Sequence, residues 1–408
     1  LAEYLRKPEP AFEWILAEKI ERDGDVIYKI QLISQKWHNN TWAHALVVCQ
    51  PKGVRPRSLL LLRNQGGQPK PETTALDLEL ARKAQAPCAC LYGIPNQPLL
   101  GGKKEDALIA ETFVRYLDSK DENWPLLFPM VKSMVKAMDA LQAFARQEWK
   151  TSLEGFVVTG ASKRGWTTWL TGASDPRVKA IAPMVIDTLN MRKQMDHQLD
   201  TLGAYSDQIH DFTERGLVPV PKTPTAERLW KMVDPYFYRD RLTMPKLLIN
   251  GNNDPYWSTD ALNLYWDGLK GDKWLLYVPN AGHNLEQKND DGKPDRSRAL
   301  HGLAAFARHA IHDKPMPKLT WKHDDAGGKA RLTLHSTPPP KGGRLWLAEA
   351  PTRDFRKAKW VSRPLDDKAG GAVLAPPAKG FIAFYAELDY ALDDLPYHLS
   401  TTLRVMGK

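Results

Sequence analysis

The sequence predicts an α/β chain: a doubly wound, mostly parallel sheet with a helical lid insertion, followed by a small C-terminal β-sandwich of immunoglobulin type. Three observations predict it. Buried apolar runs alternate with helical patterns before residue 187 and again after residue 245, which is the rhythm of βαβ units. Between those stretches, from Thr188 to Thr243, the alternation stops and the chain turns polar, aromatic and helical, broken by Pro219, Pro221 and Pro224. Beyond Asp313-Lys314-Pro315-Met316-Pro317-Lys318 the composition changes to short alternating runs between Gly and Pro turns. The expected division is therefore residues 1–316, with the lid at about 188–243, and residues 317–408.

Composition bounds the function. The chain has 408 residues, 42% hydrophobic and 26% charged, enough for one large soluble domain and a smaller one. The net charge of +9 comes from Lys and Arg spread among acids, without a basic block, so no nucleic-acid partner is expected. Contact with an anionic substrate, or with a cell-envelope or other anionic surface, fits the charge. No run approaches the roughly twenty apolar residues of a membrane span. The start at Leu1 fits a removed secretory signal or a trimmed chain. Cys49, Cys88 and Cys90 read as core thiols, with Cys88 and Cys90 expected on opposite sides of one strand.

Taken in order, Asp25 to Ser34 and Thr41 to Gln50 read as an antiparallel entry to the sheet. Ser58 to Arg63, with four consecutive leucines, is a buried strand ending in Asn64-Gln65-Gly66-Gly67 before a helix from about Thr73 to Gln85. The strand Ala86 to Tyr92 runs into the proline-punctuated loop Gly93 to Pro98, which makes Asn96 and Gln97 candidate cleft residues. Glu105-Asp106 opens a helix, where acids suit the free N–H groups of the first turn. A long apolar helical pattern covers Met130 to Trp149.

The centre of the chain is Leu153 to Trp166. An apolar strand breaks at Gly160-Ala161-Ser162 and becomes helical at once, which leaves the Ser162 hydroxyl on a tight turn at the carboxyl end of the sheet. Arg164 stands where the second glycine of G-x-S-x-G would be, and glycine follows at Gly165. The N–H of Lys163 at the helix start is the first candidate oxyanion donor; Gln65 and Gly66, in the loop after the leucine strand, are candidates for the second.

The next strand, Val178 to Ile186, ends at Asp187, and the sheet resumes after the lid with Lys246 to Asn250. The segment Gly251-Asn252-Asn253-Asp254-Pro255-Tyr256-Trp257 places an acid just past that strand, with Asp187 and Asp260 as alternative acids and Asp187, Tyr256 and Trp257 as candidate substrate contacts. A helix is expected around Leu262 to Leu269, then a strand Trp274 to Val278 leading into Pro279-Asn280-Ala281-Gly282-His283. Ser162, Asp254 and His283 thus follow in the order Ser, Asp, His, each just beyond a strand, as the α/β-hydrolase layout requires. A serine hydroxyl needs an imidazole to take its proton, and the imidazole needs a carboxylate to fix its tautomer. His301, His309 and His312 fall in a helical pattern without ligand spacing, so no metal and no organic cofactor is expected.

Pro95-Asn96-Gln97-Pro98, Glu105-Asp106, Gly160 to Trp166, Asp234-Pro235-Tyr236 and Pro279 to His283 together resemble the PhoPQ-activated pathogenicity-related protein family, over about residues 10 to 400. The resemblance implies a secreted or periplasmic α/β-hydrolase whose serine, acid and histidine are Ser162, Asp254 and His283. The Gly-x-Ser-Lys-Arg-Gly spacing is more distantly similar to glucuronoyl esterases, which carry Arg directly after the serine; here Lys163 intervenes.

Seven short runs between Leu319 and Val405 make the C-terminal sandwich, for which docking and stabilising the larger part is the plainest role. The reading is a serine hydrolase acting on an ester or amide of a small molecule or peptide. Lys163 and Arg164, with Arg192, Lys193, Arg215, Lys222, Arg228 and Lys231 of the lid, favour anionic substrates. The alternatives are an exopeptidase in which Glu105 and Asp106 hold a free α-amine, and a catalytically inactive hydrolase scaffold that binds or signals.

Overall fold

The computed structural model describes residues 1–365 and 370–408. After a short helix α1 (Ala2–Arg6), three strands β1 (Glu13–Arg22), β2 (Asp25–Trp37) and β3 (Asn40–Gln50) form an antiparallel meander. Then follow β4 (Leu59–Asn64), α2 (Pro71–Ala84), β5 (Cys88–Leu91), α3 (Glu105–Ser119), α4 (Leu127–Phe144), β6 (Gly155–Ala161), α5 (Lys163–Ser174) and β7 (Val178–Met184). The lid contributes α6 (Met191–Leu202), α7 (His210–Thr213) and α8 (Pro224–Val233). The sheet resumes with β8 (Lys246–Gly251) and β9 (Lys273–Val278); a two-residue pair, β10 (Gln287–Lys288) and β11 (Pro294–Asp295), precedes α9 (Ser297–Ile311).

The nine strands lie in the order β1-β2-β3-β5-β4-β6-β7-β8-β9, parallel from β5 onward. Helices α4 and α5 cover one face and α2 and α9 the other, so the central strands are apolar on both sides and read as continuous hydrophobic runs. Strand β1 escapes the sequence reading because it is an edge strand, half-buried, with charges along its open side. Cys49, Cys88 and Cys90 are free and buried. Cys88 and Cys90 both pack toward α2 rather than to opposite sides, because residues two apart on a strand share a face.

The helix expected near Leu262 to Leu269 is instead two 3₁₀ turns, Ala261–Leu264 and Trp266–Gly268. Tertiary packing overrides the local pattern there. Leu262, Tyr265, Trp266 and Leu269 are all buried, and Asn263 donates to the carbonyl of Leu403 at 2.8 Å.

The C-terminal strands are β12 (Lys318–Ala326), β13 (Lys329–Thr337), β14 (Gly342–Ala350), β15 (Val361–Pro364), β16 (Gly371–Leu374), β17 (Phe381–Leu392), β18 (Leu395–Ser400) and β19 (Arg404–Gly407). They form two antiparallel sheets, β12-β13-β16 and β15-β14-β17-β18 with β19 also on β17. Leu332, Leu345, Phe384 and Ala386 fill the space between them. The sandwich shares its outer face with the larger part: Tyr397 and Leu399 pack with α9, and Phe355, Trp360, Tyr385 and Leu403 join the main core.

Candidate active site

The turn at Ser162 has φ +58° and ψ −128°, a left-side conformation that non-glycine residues avoid and that costs of order 1–3 kcal/mol. The surroundings hold it there. The Ser162 N–H donates to the carbonyl of Met184 at 2.9 Å, and its own carbonyl accepts the first helical bond, from Trp166 at 3.0 Å. A Cβ on Gly160 would lie 2.7 Å from the Arg164 carbonyl, and one on Gly165 3.0 Å from the carbonyls of Gly160 and Met184. Gly165 is therefore the residue that lets α5 pack against β7, which is why arginine is tolerated at 164.

Asp254 and His283 come together across the loops after β8 and β9. His283 Nδ1 lies 2.8 Å from Asp254 Oδ2, and the other carboxylate oxygen accepts the N–H of Tyr256 at 2.9 Å. The two loops are also stitched to each other, the Asn253 N–H donating to the Ala281 carbonyl at 2.9 Å. The Tyr256 ring packs on the His283 ring with centroids 4.2 Å apart. His283 Nε2 is buried and has no hydrogen-bond partner among the described residues. It is free to accept a proton.

Ser162 and His283 line one cavity of ≈ 40 Å³, with Lys163, Tyr256 and Trp257 in its wall. At roughly 10–15 Å³ per water that is space for about three waters. Apart from Asp106 and Thr188 the rest of the wall is apolar, with Trp166 and Ile186, and comes largely from the lid: Met191, Met195, Ile209, Phe212, Val218 and Trp230. Sequence reading missed these residues; the signal was the density of large apolar side chains in an otherwise polar insertion. Trp166 of α5 ties lid and nucleophile helix together, donating to the Val233 carbonyl at 2.6 Å and stacking on Trp230. Asp234 closes the base of the lid, accepting N–H bonds from Asn190, Met191 and Tyr236 at 2.8–3.1 Å. This is the physical content of the Asp234-Pro235-Tyr236 motif.

Other expected site residues sit elsewhere. The Gln65 N–H donates to the Leu91 carbonyl at 2.8 Å, so of the two loop candidates Gly66 is the one whose amide that bond leaves available. Asn96 donates to the Ala43 carbonyl at 2.7 Å and Gln97 brackets Glu105, bonding its carboxylate at 2.6 Å and its N–H at 2.8 Å. Both brace loops outside the cavity wall. Asp187 is buried, accepting from Asn250 at 3.1–3.2 Å and bonded to the Tyr265 hydroxyl. Burial, with Asp254 as a nearby negative charge, pushes the Asp187 carboxyl up to about 7 against those two bonds. Asp260 is taken by His197 at 2.6 Å and by Arg353 at 3.3 Å.

Arg164 and Lys163 are not free charges. Arg164 lies across Gly66, where a Cβ would collide with its guanidinium, and bonds Glu105 through both terminal nitrogens and the Ile94 carbonyl through Nε, all at 2.6 Å. Lys163 Nζ is 2.9 Å from Asp106 Oδ2. In the lid, Arg192, Arg215 and Arg228 pair with Glu227, Asp211 and Glu122, while Lys193, Lys222 and Lys231 are exposed. None of the six lines the cavity. The expected cationic cleft for anionic substrates is absent among the described residues, and Glu105 and Asp106 are already paired with Arg164 and Lys163, which leaves no open acidic pair for an α-amine.

The strand order, the serine on its forced turn and the helical insertion between β7 and β8 define an α/β-hydrolase fold. Within that class the chain belongs to the PhoPQ-activated pathogenicity-related protein family, whose profile matches residues 1–356. It is similar to autocrine proliferation repressor protein A of Dictyostelium discoideum, 32% identical over 96% of this chain and 85% of that protein. Among solved structures it resembles acetyl xylan esterase 1 from Thermoanaerobacterium sp. JW/SL YS485, at TM-score 0.52 and 15% identity, over 74% of this chain and 92% of the esterase. An acetyl xylan esterase from Paenibacillus sp. R4 is more loosely similar, at TM-score 0.46 and 15% identity over 69% of this chain and 86% of that one. No helix among the described residues is long and apolar enough to cross a membrane.

Proposed function

We propose that the chain is a serine hydrolase that cleaves esters of short, uncharged acyl groups through an acyl-enzyme. The observation that carries this is the His283–Asp254 contact of 2.8 Å with Nε2 left unpartnered, in the same small apolar cavity as Ser162. Ser162 Oγ attacks the ester carbonyl and gives its proton to His283 Nε2. Asp254 holds the Nδ1–H tautomer and stabilises the imidazolium. The N–H of Lys163 at the start of α5, with that of Gly66 as second donor, stabilises the carbonyl oxygen as it becomes an oxyanion. His283 then returns the proton to the leaving alcohol, and water, activated the same way, releases the acid.

The test is a fluorophosphonate probe together with p-nitrophenyl esters of increasing acyl length. Labelling at Ser162 that vanishes in Ser162→Ala, with acetate turned over faster than octanoate, is the expected result. Equal labelling of both proteins would end the proposal. The proposal includes a periplasmic or extracellular location, as the family resemblance implies; fractionation of the producing cell checks it.

A second reading draws on the name of the Dictyostelium relative: a hydrolase-fold protein that signals without turnover. Absence of both labelling and ester hydrolysis in folded protein would favour it.

A further inference from the structure

We infer that the segment joining β14 to β15, residues 351–360, is a strap by which the C-terminal sandwich positions the loops carrying Asp254 and His283. The inference rests on the serine-hydrolase reading above for its catalytic consequence, though not for its mechanics.

The strap touches both loops through one asparagine on each. Asn253, next to Asp254, donates its side-chain amide to the carbonyls of Phe355, Arg356 and Ala358 at 3.2, 3.2 and 2.8 Å. Asn280, three residues before His283, grips Trp360 in both directions, donating to its carbonyl at 2.9 Å and accepting its N–H at 2.8 Å. A two-way bond of this kind fixes orientation as well as distance. The Asn280 backbone has φ +56°, a left-handed conformation in which Asn is one of the few comfortable residues besides Gly. From β17, the Tyr385 hydroxyl reaches Asn252 Oδ1 at 3.1 Å. The strap and β17 thus hold residues 252, 253 and 280.

The strap is itself anchored. Phe355 and Trp360 are 1% and 2% exposed and pack with Tyr385 in the main core. Arg353, at its other end, bonds Asp260 at 3.3 Å and Asp200 of α6 at 3.0 Å. The loops need such support: neither is a regular element, yet a displacement of about 1 Å at a reacting group can lower turnover on the order of a hundredfold. Neither asparagine lines the cavity, so they are positioning residues. Their effect belongs on kcat and leaves substrate binding alone.

The experiment compares wild type with Asn253→Ala, Asn280→Gly and Tyr385→Phe. Glycine keeps the positive φ while removing the grip, and phenylalanine removes one hydroxyl only. Readouts are kcat and KM on p-nitrophenyl acetate, the rate of fluorophosphonate labelling, Tm, and hydrogen–deuterium exchange over residues 252–256 and 279–285. Expected is a fall in kcat and labelling rate of roughly 10- to 100-fold for Asn280→Gly and Asn253→Ala with KM within about twofold. Tyr385→Phe should show a smaller fall. Faster exchange should appear in both loops with little change in Tm. Asn280→Asp, which keeps the acceptor for the Trp360 N–H, should recover part of kcat. Wild-type kcat and exchange in folded variants would overturn the strap while leaving the hydrolase standing. An unlabelled, inactive wild type whose loops still loosen in the variants would sink the hydrolase reading and keep the mechanical one. Should the two asparagine variants fail to fold, Arg353→Ala, which frees the strap from Asp260 and Asp200, decides: unchanged exchange over residues 252–256 and 279–285 refutes the strap.

Discussion

Arg164 and Glu105 form a forked ion pair, two hydrogen bonds of 2.6 Å joining guanidinium to carboxylate directly behind the nucleophile turn. Burial works against ionising Glu105, but the bonds and charge of Arg164, with Gln97 and Lys163, hold its carboxyl down at about 2. A carboxyl lowered in this way contributes stability that is present above its ordinary unfolded value and lost only as pH falls through about 2. The pair is therefore intact across any practical assay range, and it cancels the cation that the sequence places beside the serine.

It follows that wild-type protein should show no preference for acidic over matched neutral acetate esters. Glu105→Gln unmasks Arg164 and should raise the ratio of kcat/KM for the acidic over the neutral ester several-fold at low salt, with the gain shrinking as salt screens it. A wild-type preference for the acidic ester at low salt would contradict the pairing argument. Aminoacyl amides with free amines should not be turned over.

Two carboxylates stand near the histidine loop, and they should separate cleanly. Asp254→Asn leaves His283 in the wrong tautomer and should lower kcat by roughly 10⁴-fold. Asp187→Asn, which replaces a carboxyl bonded only to Asn250 and Tyr265, should keep kcat within about fivefold of wild type. The reverse ranking would make Asp187 the functional acid.

Asp187 and Asp234 carry a stability signature. Burial raises each carboxyl to about 7 in the folded chain, against the bonds they accept. Because the folded value lies above the ordinary unfolded one near 3.9, folding favours the protonated form. That contribution is complete below about pH 4 and is lost as pH rises through about 7. Tm should therefore fall between about pH 4 and 7, and Asp187→Asn, a neutral isostere, should flatten part of that slope. Identical slopes in wild type and variant would remove Asp187 from the account.

The lid side chains should set acyl length. Met195 is 1% exposed and lines the cavity. Met195→Ala should lengthen the preferred p-nitrophenyl ester by two to four carbons at a cost of about 2–5 kcal/mol in stability, read by denaturant unfolding. Destabilisation without any shift in chain-length preference would place the acyl group elsewhere.

Much of this architecture was legible in the chain. Leu59 to Leu62 and Phe156 to Val158 announce buried parallel strands because both faces are covered, and Gly160-Ala161-Ser162 announces the turn because glycine alone lets α5 approach β4 and β7. Strand β1 and the 3₁₀ turns after Ser258 were not legible, since an edge strand is only half apolar and a buried irregular segment obeys its neighbours rather than its own pattern.

By itself the sequence determined the fold, the order Ser162, Asp254, His283, and the fact that each follows a strand, because those properties are local: periodicity, turn chemistry and chain order. Only the tertiary structure decided which charges survive. Lys163 and Arg164 read as an anion site until Asp106 and Glu105, about sixty residues earlier in sequence, arrive at 2.9 and 2.6 Å to neutralise them. Only tertiary structure, likewise, brought Asn280 to Trp360 across eighty residues and made a β-sandwich the support of two loops in another part of the chain. Pairing of charges and bracing of loops depend on distance in space, which chain order does not encode.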